Sequence, residues 1–375
     1  MTVPGLLTGF TVGITADRRW GEQAALFERR GAAVEHGPTI RTLPLGAETP
    51  LRRATEALIA RPPDVLIANT GVGIRSWFAN ADTWGLGGQL AEALSRAHIY
   101  ARGPKAAGAV HSAGLEVKAR AQTEHLSETV DLVLENSRPG LRVVVQMDGS
   151  EDSPELGRLS AAGADVVALP VYRWTLPEER DPALRLADLV ISGQVQAVTF
   201  TAGPAIRNWF VMAAEAGLDQ PLREALTDGR AVVGCVGPVC AGAAVSEGLA
   251  SPHLVQPESF RLGPLVRAVT QRLVERQLTV QVGAQRITLS GNAVFVADDS
   301  LSLTSTEARI LAVLARRPNA VVSKEHLLHA VWSSRTTDPH TVEVALARLR
   351  KRLAPHGISV QSVRRRGYTL GAARG

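Results

Sequence analysis

The chain has 375 residues, of which 45% are hydrophobic, with a formal net charge of +5. That length allows two or three domains, each with its own core. The two cysteines, Cys235 and Cys240, have no histidine nearby at ligand spacing, and the amino terminus has no basic segment before its short apolar run. These features argue against a zinc site, a disulfide framework, a signal peptide and a membrane span, so we expect buried thiols in a cytoplasmic protein without metal or cofactor.

The positive charge is concentrated in the last quarter of the chain. From Gln277 onward there are 14 Lys and Arg against 6 Asp and Glu, a net of +8, whereas the preceding residues carry 27 against 30, a net of −3. This distribution is typical of a nucleic-acid-binding module attached to an acidic body.

Residues 10–254 alternate between short apolar runs and helical stretches. Amphipathic helices are predicted at Gln23–Arg30, Leu51–Ala60 and Pro204–Ala216. The predicted strands are FTVGIT, AAVEHGPTI, VLIANTG, HIYARG, RVVVQMDG, DVVALPVYRW, AVTFTAG, AVVGCVG and HLVQP. This rhythm predicts an α/β fold with doubly wound parallel sheets, in which ligands usually bind at the carboxyl ends of the strands.

The sequence repeats itself within this region. The segment 64–78, a strand followed by a small-residue turn and Ile-Arg-Ser-Trp-Phe, is similar to the segment 197–210. The segment 100–109, a strand followed by Gly-Pro and an Ala-rich helix start, is similar to 234–243. We therefore predict two related α/β units.

These paired motifs resemble uroporphyrinogen-III synthase, a cofactor-free enzyme that closes a linear tetrapyrrole. The resemblance covers roughly residues 8–275 and rests on Thr-Phe-Thr-Ala-Gly-Pro at 199–204, Gly-Pro-Val-Cys-Ala at 237–241 and Pro-Val-Tyr at 170–172. It implies one discontinuous subdomain (about 1–40 and 173–275), a second one (about 41–172), and two extended linkers that join them.

The resemblance also implies a ligand cleft between the subdomains. Helix N-termini there would bind the carboxylates of a tetrapyrrole-like anion. The cleft residues would be Tyr172, Thr70, Thr199, Thr201, Arg18, Arg19, Arg102, Lys105 and Gly237. As alternatives, Tyr172 only packs at the hinge, and the cationic groups are solvated.

Two departures leave the enzymatic activity open. Ala202 and Val239-Cys240 stand where the family places hydroxyl side chains facing its substrate. A cleft that has lost two hydrogen-bond donors holds a polyanion less well.

After residue 275 the pattern changes. Thr304 with Glu307 predicts a capping box, Ser323 predicts a second helix cap, and Asp338 predicts the N-cap of a helix ending at Leu353. In that last helix Val342, Leu346, Leu349 and Leu353 form an apolar stripe beside small and cationic side chains. Two short strands around an Arg-Arg-Arg-Gly turn follow.

This order resembles the winged-helix effector domain of OmpR/PhoB-type response regulators, from Leu303 to Leu370. The resemblance implies a DNA-binding domain at 276–375. Arg348 would contact base edges in the major groove, Arg350 and Lys351 would contact phosphates, and Arg364 would enter the minor groove. The other residues assigned to DNA are Thr341, Arg352, Arg365, Arg366 and Trp332.

Together, the two resemblances predict a transcriptional regulator with a synthase-like sensor or docking domain at 1–275. Proteins with this pairing resemble actinobacterial regulators of nitrate and nitrite assimilation. The first alternative is an active synthase with an appended DNA-binding domain. A second alternative is a co-regulator that binds another transcription factor. Double-stranded DNA is the expected partner, and a homodimer on DNA is one arrangement that the sequence leaves open.

Overall fold

A computed structural model of the chain describes residues 5–45, 50–136, 138–147, 149, 153–250, 252–297, 299–332 and 339–372. Its strands, in chain order, are β1 (Thr11–Ile14), β2 (Ala33–His36), β3 (Arg41–Pro44), β4 (Val65–Ala68), β5 (His98–Ala101), β6 (Ala119–Arg120), β7 (Arg142–Gln146), β8 (Asp165–Leu169), β9 (Tyr172–Thr175), β10 (Ala197–Phe200), β11 (Val232–Cys235), β12 (Leu254–Val255), β13 (Leu278–Val282), β14 (Gln285–Ser290), β15 (Ala293–Val296), β16 (Asp299–Ser302), β17 (Ile358–Val363) and β18 (Gly367–Ala372).

Its helices, in chain order, are α1 (Trp20–Glu28), α2 (Pro50–Ala60), α3 (Gly71–Thr83), α4 (Gly87–Ser95), α5 (Pro104–Ser112), α6 (Leu126–Leu134), α7 (Pro154–Ala161), α8 (Asp181–Ile191), α9 (Gly203–Glu215), α10 (Asp219–Thr227), α11 (Pro238–Ser246), α12 (Leu262–Val274), α13 (Ser305–Ala315), α14 (Lys324–Val331) and α15 (Pro339–Leu353). A 3₁₀ turn at Ala354–His356 follows α15.

The chain forms two compact units. The first unit comprises residues 1–40 and 176–375, and the second unit comprises residues 41–175. The position expected to separate the synthase-like body from the DNA-binding domain, between residues 275 and 276, falls inside the first unit.

A five-stranded parallel sheet with the order β12-β11-β10-β1-β2 lies in the first unit. Alternate residues of a strand point to opposite faces of its sheet. Val12 and Ile14 pack in a cluster with Phe27 of α1 and with the buried face of α12. Gly13 lies against Leu186 of α8 instead, so helices cover both faces of the sheet.

The second unit contains another five-stranded parallel sheet, with the order β6-β5-β4-β7-β8. Leu66 and Ala68 belong to one buried cluster, and Val65 and Ile67 belong to another. This alternation of wholly apolar residues is what a strand buried on both faces requires. The predicted α/β fold with two parallel sheets is confirmed.

Predicted strand 165–174 is wrong as a single element. The structure divides it into β8 and β9, with Pro170 between them. Proline has no backbone N–H to donate to a sheet, so it interrupts the pairing. β9 instead pairs with β3 in a separate antiparallel ribbon, in which Tyr172 lies opposite Pro44.

The last part of the first unit begins with an antiparallel sheet, β13 to β16, which sequence analysis missed. Three helices and the β17–β18 hairpin follow, and their apolar side chains share one core with that sheet. Two of the three predicted caps are confirmed, because Thr304 and Glu307 form a capping box and Ser323 accepts from the His326 amide. The predicted N-cap Asp338 lies outside the described residues.

This part is attached to the segment that precedes β1. The Asn292 amide donates to the Gly9 carbonyl at 2.9 Å, and the Ser290 hydroxyl donates to the Thr8 carbonyl at 2.7 Å. The Gln277 side chain donates to the Leu6 carbonyl at 3.0 Å. We call these contacts the joint; they lie at the amino end of the β1 strand.

Candidate functional site

Helix α15 presents two chemically different faces. Val342, Leu346, Leu349 and Leu353 are fully buried, which confirms the predicted apolar stripe. Thr341, Arg348 and Lys351 are exposed. A helix with one packed face and one cationic face is suited to lie in a DNA groove.

Arg350 has different surroundings from its neighbours. Its Nε donates to the Val360 carbonyl at 2.6 Å and its Nη2 donates to the Ser362 hydroxyl at 2.7 Å. The guanidinium also lies 5.8 Å from the centre of the Tyr368 ring. Arg350 therefore connects α15 to both strands of the β17–β18 hairpin.

Arg352 is also directed toward the rest of its domain. Its Nη1 donates to the Ser302 carbonyl at 2.5 Å, and its Nε lies 3.6 Å from the Glu307 carboxylate. Glu307 is buried in the capping box of α13. These contacts connect α15 with the start of α13.

The turn of the β17–β18 hairpin carries three exposed arginines, Arg364, Arg365 and Arg366. Arg365 has a left-handed φ of 56°, and the Arg366 amide closes the turn on the Val363 carbonyl at 2.9 Å. Gly367 follows with a φ of +133°, and a Cβ there would lie 2.0 Å from the Val322 carbonyl oxygen. The close approach to Val322 therefore requires glycine and fixes the hairpin's position.

Trp332 ends α14 and is half-buried against the domain core. At the start of α14, Lys324 donates to Glu343 at 2.7 Å, and His340 lies 3.3 Å from the same carboxylate. Hydrogen bonds from Lys324 first and then from His340 lower the pKa of Glu343. Glu343 thus carries negative charge along the edge of the exposed face of α15.

In the second unit, Tyr172 and Thr70 lie together. Tyr172 is 3% exposed, and its hydroxyl donates to the Thr70 hydroxyl at 3.3 Å. The Thr70 side chain caps α3 by accepting from the Gly73 amide at 3.1 Å, and its own amide donates to Gln146 Oε1 at 2.8 Å. Gln146 was missed by sequence analysis, although a glutamine that ends an otherwise apolar buried strand was a signal for it.

Arg102 and Lys105 flank Gly103, the N-cap of α5. Lys105 is exposed and Arg102 is half-buried. A Cβ at Gly71, the first residue of α3, would lie 2.2 Å from the Lys105 carbonyl oxygen. The amino ends of α3 and α5 are therefore in close contact in the second unit.

Of the cleft residues expected in the first unit, Thr199 and Arg19 make hydrogen bonds within that unit. The buried Thr199 hydroxyl donates to the Gly13 carbonyl at 3.1 Å, so it links two strands of the sheet. Thr201 is half-buried, and Gly237 is the N-cap of α11. Arg18 is exposed, and Arg19 donates from its Nε to Glu22 at 2.8 Å.

The two cysteines are free and buried, as predicted. The Cys240 thiol lies 3.5 Å from the Phe200 carbonyl. A hydrogen bond with Cys240 and burial raise the pKa of Cys235.

Among the described residues, no three His, Cys, Asp or Glu side chains are grouped as a metal site would require. No helix in the described part of the chain combines the length and the apolar character that a membrane span needs.

The sequence model of the family "Uroporphyrinogen-III synthase HemD" matches residues 21–267. The chain belongs to the HemD family. The structure of a mutant uroporphyrinogen III synthase from Thermus thermophilus is similar to the HemD-like portion, with 28% identity, a TM-score of 0.59 and coverage of 71% of this chain and 100% of that one. The uncharacterized protein YjjA of Bacillus subtilis is 25% identical over 271 residues, which are 72% of this chain and 98% of YjjA.

A second family, "Transcriptional regulatory protein, C terminal", matches residues 298–370. The phosphate regulon transcriptional regulatory protein PhoB of Escherichia coli is 32% identical over 125 residues, which are 32% of this chain and 55% of PhoB. The chain thus spans about half the length of PhoB. It is a transcriptional regulator that combines a HemD-like domain with an OmpR/PhoB-type DNA-binding domain.

Proposed function

We propose that this regulator controls genes of nitrate and nitrite assimilation or of tetrapyrrole metabolism, and that its HemD-like portion senses or docks an effector. The exposed cationic face of α15 carries the proposal, because it leaves Arg348 and Lys351 accessible to a duplex. The choice of genes rests on the resemblance to actinobacterial regulators and on chemistry. Nitrite reductase needs sirohaem, which derives from uroporphyrinogen III.

In the proposed complex, α15 lies in the major groove. Arg348 contacts base edges, because its guanidinium can donate two hydrogen bonds to guanine. Lys351 contacts a phosphate, and Arg364 at the hairpin turn enters the adjacent minor groove. These three side chains are exposed on α15 and on the hairpin that Arg350 connects to it.

Mapping of genome-wide occupancy tests this proposal in cells that express either the full chain or its Arg348→Ala variant. We expect wild-type sites upstream of nitrate, nitrite or tetrapyrrole genes. The variant should lose about 1–3 kcal/mol of binding free energy and its sequence preference. Wild-type sites confined to other genes would overturn the choice of pathway, and an Arg348→Ala map identical to wild type would overturn the contact assignment.

A second candidate function is the synthase reaction itself. The hydrogen bond between Tyr172 and Thr70 favours it, because this pair places a phenol beside the amino end of α3. Ala202, Val239 and the inward direction of Thr199 disfavour it. Incubation of the full chain with hydroxymethylbilane separates the two functions, since a regulator without activity leaves the yield of uroporphyrinogen III at the level of the uncatalysed control.

A further inference from the structure

Strand β8 forms one edge of the parallel sheet in the second unit. Among the described strands it pairs only with β7, in a parallel register from Asp165 to Leu169. Val166 and Val167 are half-buried, and Ala168 is exposed. Val166 packs against the core cluster on one face of the sheet, and Val167 packs against the cluster on the other face. The outer side of β8 is therefore an apolar edge that is partly open to solvent.

The hydrogen bonds of β8 show which backbone groups face this edge. The Asp165 amide donates to the Leu141 carbonyl at 2.9 Å, and the Leu169 carbonyl accepts from the amide that follows β7 at 2.9 Å. Along a strand, the residues that bond to one neighbour alternate with the residues that face the other side. The N–H and C=O groups of Val166 and Ala168 therefore point away from β7, and no backbone group of the described residues bonds to them.

The corresponding edge strand of the first unit is protected by charge. β2 is the outermost strand of its sheet and pairs in parallel with β1, as β8 pairs with β7. It carries Glu35, whose carboxylate lies 3.8 Å from the Arg185 guanidinium, and it ends at His36. Charged side chains on an edge strand hinder its pairing with another chain. β8 has no charged residue after Asp165, so it lacks this protection.

We propose that β8 is a homodimerisation surface, on which β8 of a second copy of this chain pairs antiparallel about a two-fold axis at Val167. In this register Val166 of one copy lies opposite Ala168 of the other, and the two residues exchange a pair of backbone hydrogen bonds. The axis repeats this pair, so every outward N–H and C=O group of both strands gains a partner. The two five-stranded sheets then form one continuous sheet. This inference goes beyond the proposed function, because it does not depend on which genes are controlled.

The side chains and charges of β8 also suit a second copy. Val167 meets its own counterpart at the axis, and the small Ala168 leaves room for the partner's Val166 on the same face of the sheet. The two Asp165 carboxylates lie at opposite ends of the paired strands, separated by roughly 13 Å, which exceeds the Debye length at physiological salt. Each carboxylate is also compensated within its own copy, because it lies 3.3 Å from Arg142. Self-pairing therefore buries apolar side chains and brings no like charges together.

Cysteine cross-linking of the full chain tests this register. The two Val167 residues form a non-hydrogen-bonded pair with Cα atoms about 4.5 Å apart, so Val167→Cys should give a disulfide-linked dimer under oxidised glutathione. Ala168→Cys is the matched control: its side chain is more exposed, but the two copies would lie about 8 Å apart, beyond the roughly 7 Å that a disulfide spans. Both native cysteines are buried and free, so the wild-type chain gives the baseline. Equal cross-linking in the two variants, or none in either, would overturn the proposal.

Sedimentation equilibrium of the full chain gives a second, independent measurement. We expect the wild-type chain to dimerise with rising concentration. Ala168→Lys places a charge in the interface twice per dimer, so the dissociation constant of the dimer should rise by roughly tenfold. Ala33→Lys is the matched control and should dimerise like wild type, because Ala33 is an exposed alanine on the edge strand β2. A wild-type chain that stays monomeric throughout the series would overturn the proposal, as would an Ala168→Lys variant that dimerises like wild type.

Discussion

Neighbouring cations of α15 differ in what surrounds them, and this difference decides how each can act on DNA. Lys351 is exposed, whereas Arg350 donates to a carbonyl and a hydroxyl of the β17–β18 hairpin. These two hydrogen bonds engage two of the five N–H donors of the guanidinium, so fewer donors are left for a phosphate. The arrangement favours a positioning role for Arg350, which holds α15 against the hairpin that carries the three arginines.

The salt dependence of DNA binding distinguishes these roles. Each phosphate contact contributes about one unit to the slope of log K against log salt. We expect Lys351→Gln to lower that slope by about one. Arg350→Gln should weaken binding with the slope unchanged, because it loosens the hairpin without removing a phosphate contact. A slope that falls by one in Arg350→Gln would instead place Arg350 on a phosphate, as the sequence predicted.

At the residue scale, the spacing of apolar residues predicted which side chains are buried, but it did not predict the hydrogen-bond partners of the polar ones. The stripe from Val342 to Leu353 follows from helical spacing alone, and all four of its apolar residues are buried. The partner of Arg350 could not be predicted, because Val360 and Ser362 reach it only after the hairpin has folded back. The partner of Thr199 could not be predicted either, because its hydroxyl donates to Gly13, which lies on a paired strand 186 residues away in the sequence.

At the scale of single elements, the start of α13 is held by reciprocal bonds. Thr304 Oγ1 accepts from the Glu307 amide, and the Glu307 carboxylate accepts from the Thr304 amide at 2.9 Å. Arg352 contacts the same carboxylate. The capping box therefore supports both α13 and the position of α15.

Removal of this cap should destabilise the DNA-binding domain. We expect Thr304→Ala to lower the free energy of unfolding by about 1 kcal/mol, because the N-terminal amides of α13 lose an acceptor. Hydrogen exchange of the α13 amides in the full chain measures this change. Thr304→Ser keeps the hydroxyl and should exchange like wild type; equally fast exchange in both variants would contradict the capping role.

The end of α12 leads directly into the joint. Arg276 donates to the Gly229 carbonyl at 2.9 Å, and its Nη2 lies 3.0 Å from His253 Nδ1. Burial first, and then the charges of Arg276 and Arg272, lower the pKa of His253. Protonation of this imidazole is therefore less favourable in the folded chain than in the unfolded chain.

This shift predicts a pH dependence of stability. The unfolded chain takes up a proton at His253 near pH 6.5, while the folded chain resists protonation until lower pH, so stability is lost as pH falls below about 6.5. His253→Gln removes this contribution. We expect the melting temperature of the variant to fall less than that of wild type between about pH 7.5 and about pH 5.5. Parallel curves for the two proteins would contradict the assignment.

Buried apolar strands were predictable, and the strands that mix polar and apolar residues in the antiparallel sheet were not. The central strands β4, β10 and β11 of the parallel sheets are fully buried and mostly apolar, which is a strong local signal. β14 and β16 mix polar and apolar residues and join their neighbours through short turns. Such strands are stabilised by pairing with each other, and pairing is not visible in a single short segment.

At the scale of the whole molecule, the joint attaches the DNA-binding domain to the HemD-like portion at the amino end of the β1 strand. The loops expected to bind a ligand follow the carboxyl ends of the strands, at the other end of the sheet. An effector bound there would be separated from the DNA-binding domain by the length of the sheet. A signal between them can pass through packed elements and the joint, or through α13, whose Ser305 and Arg309 lie beside Gly193.

The joint depends on a close backbone approach at Gly9. A Cβ there would lie 2.2 Å from the Ser290 carbonyl oxygen, and its φ is +93°. Gly114 is a matched control, because its φ is +76° and no described atom lies within 4 Å of the corresponding Cβ position. Alanine at either position strains the backbone. Only alanine at Gly9 should push the segment that precedes β1 away from Ser290 of the DNA-binding domain.

We therefore expect Gly9→Ala to accelerate hydrogen exchange of the Asn292 amide, which donates to the Gly9 carbonyl in the wild-type chain. Exchange should remain at the wild-type rate in Gly114→Ala. Operator affinity should be unchanged in Gly9→Ala, because α15 and the hairpin keep their own contacts. Equal protection of Asn292 in the two variants would show that the joint does not hold the DNA-binding domain, since only one of them places a methyl group against Ser290.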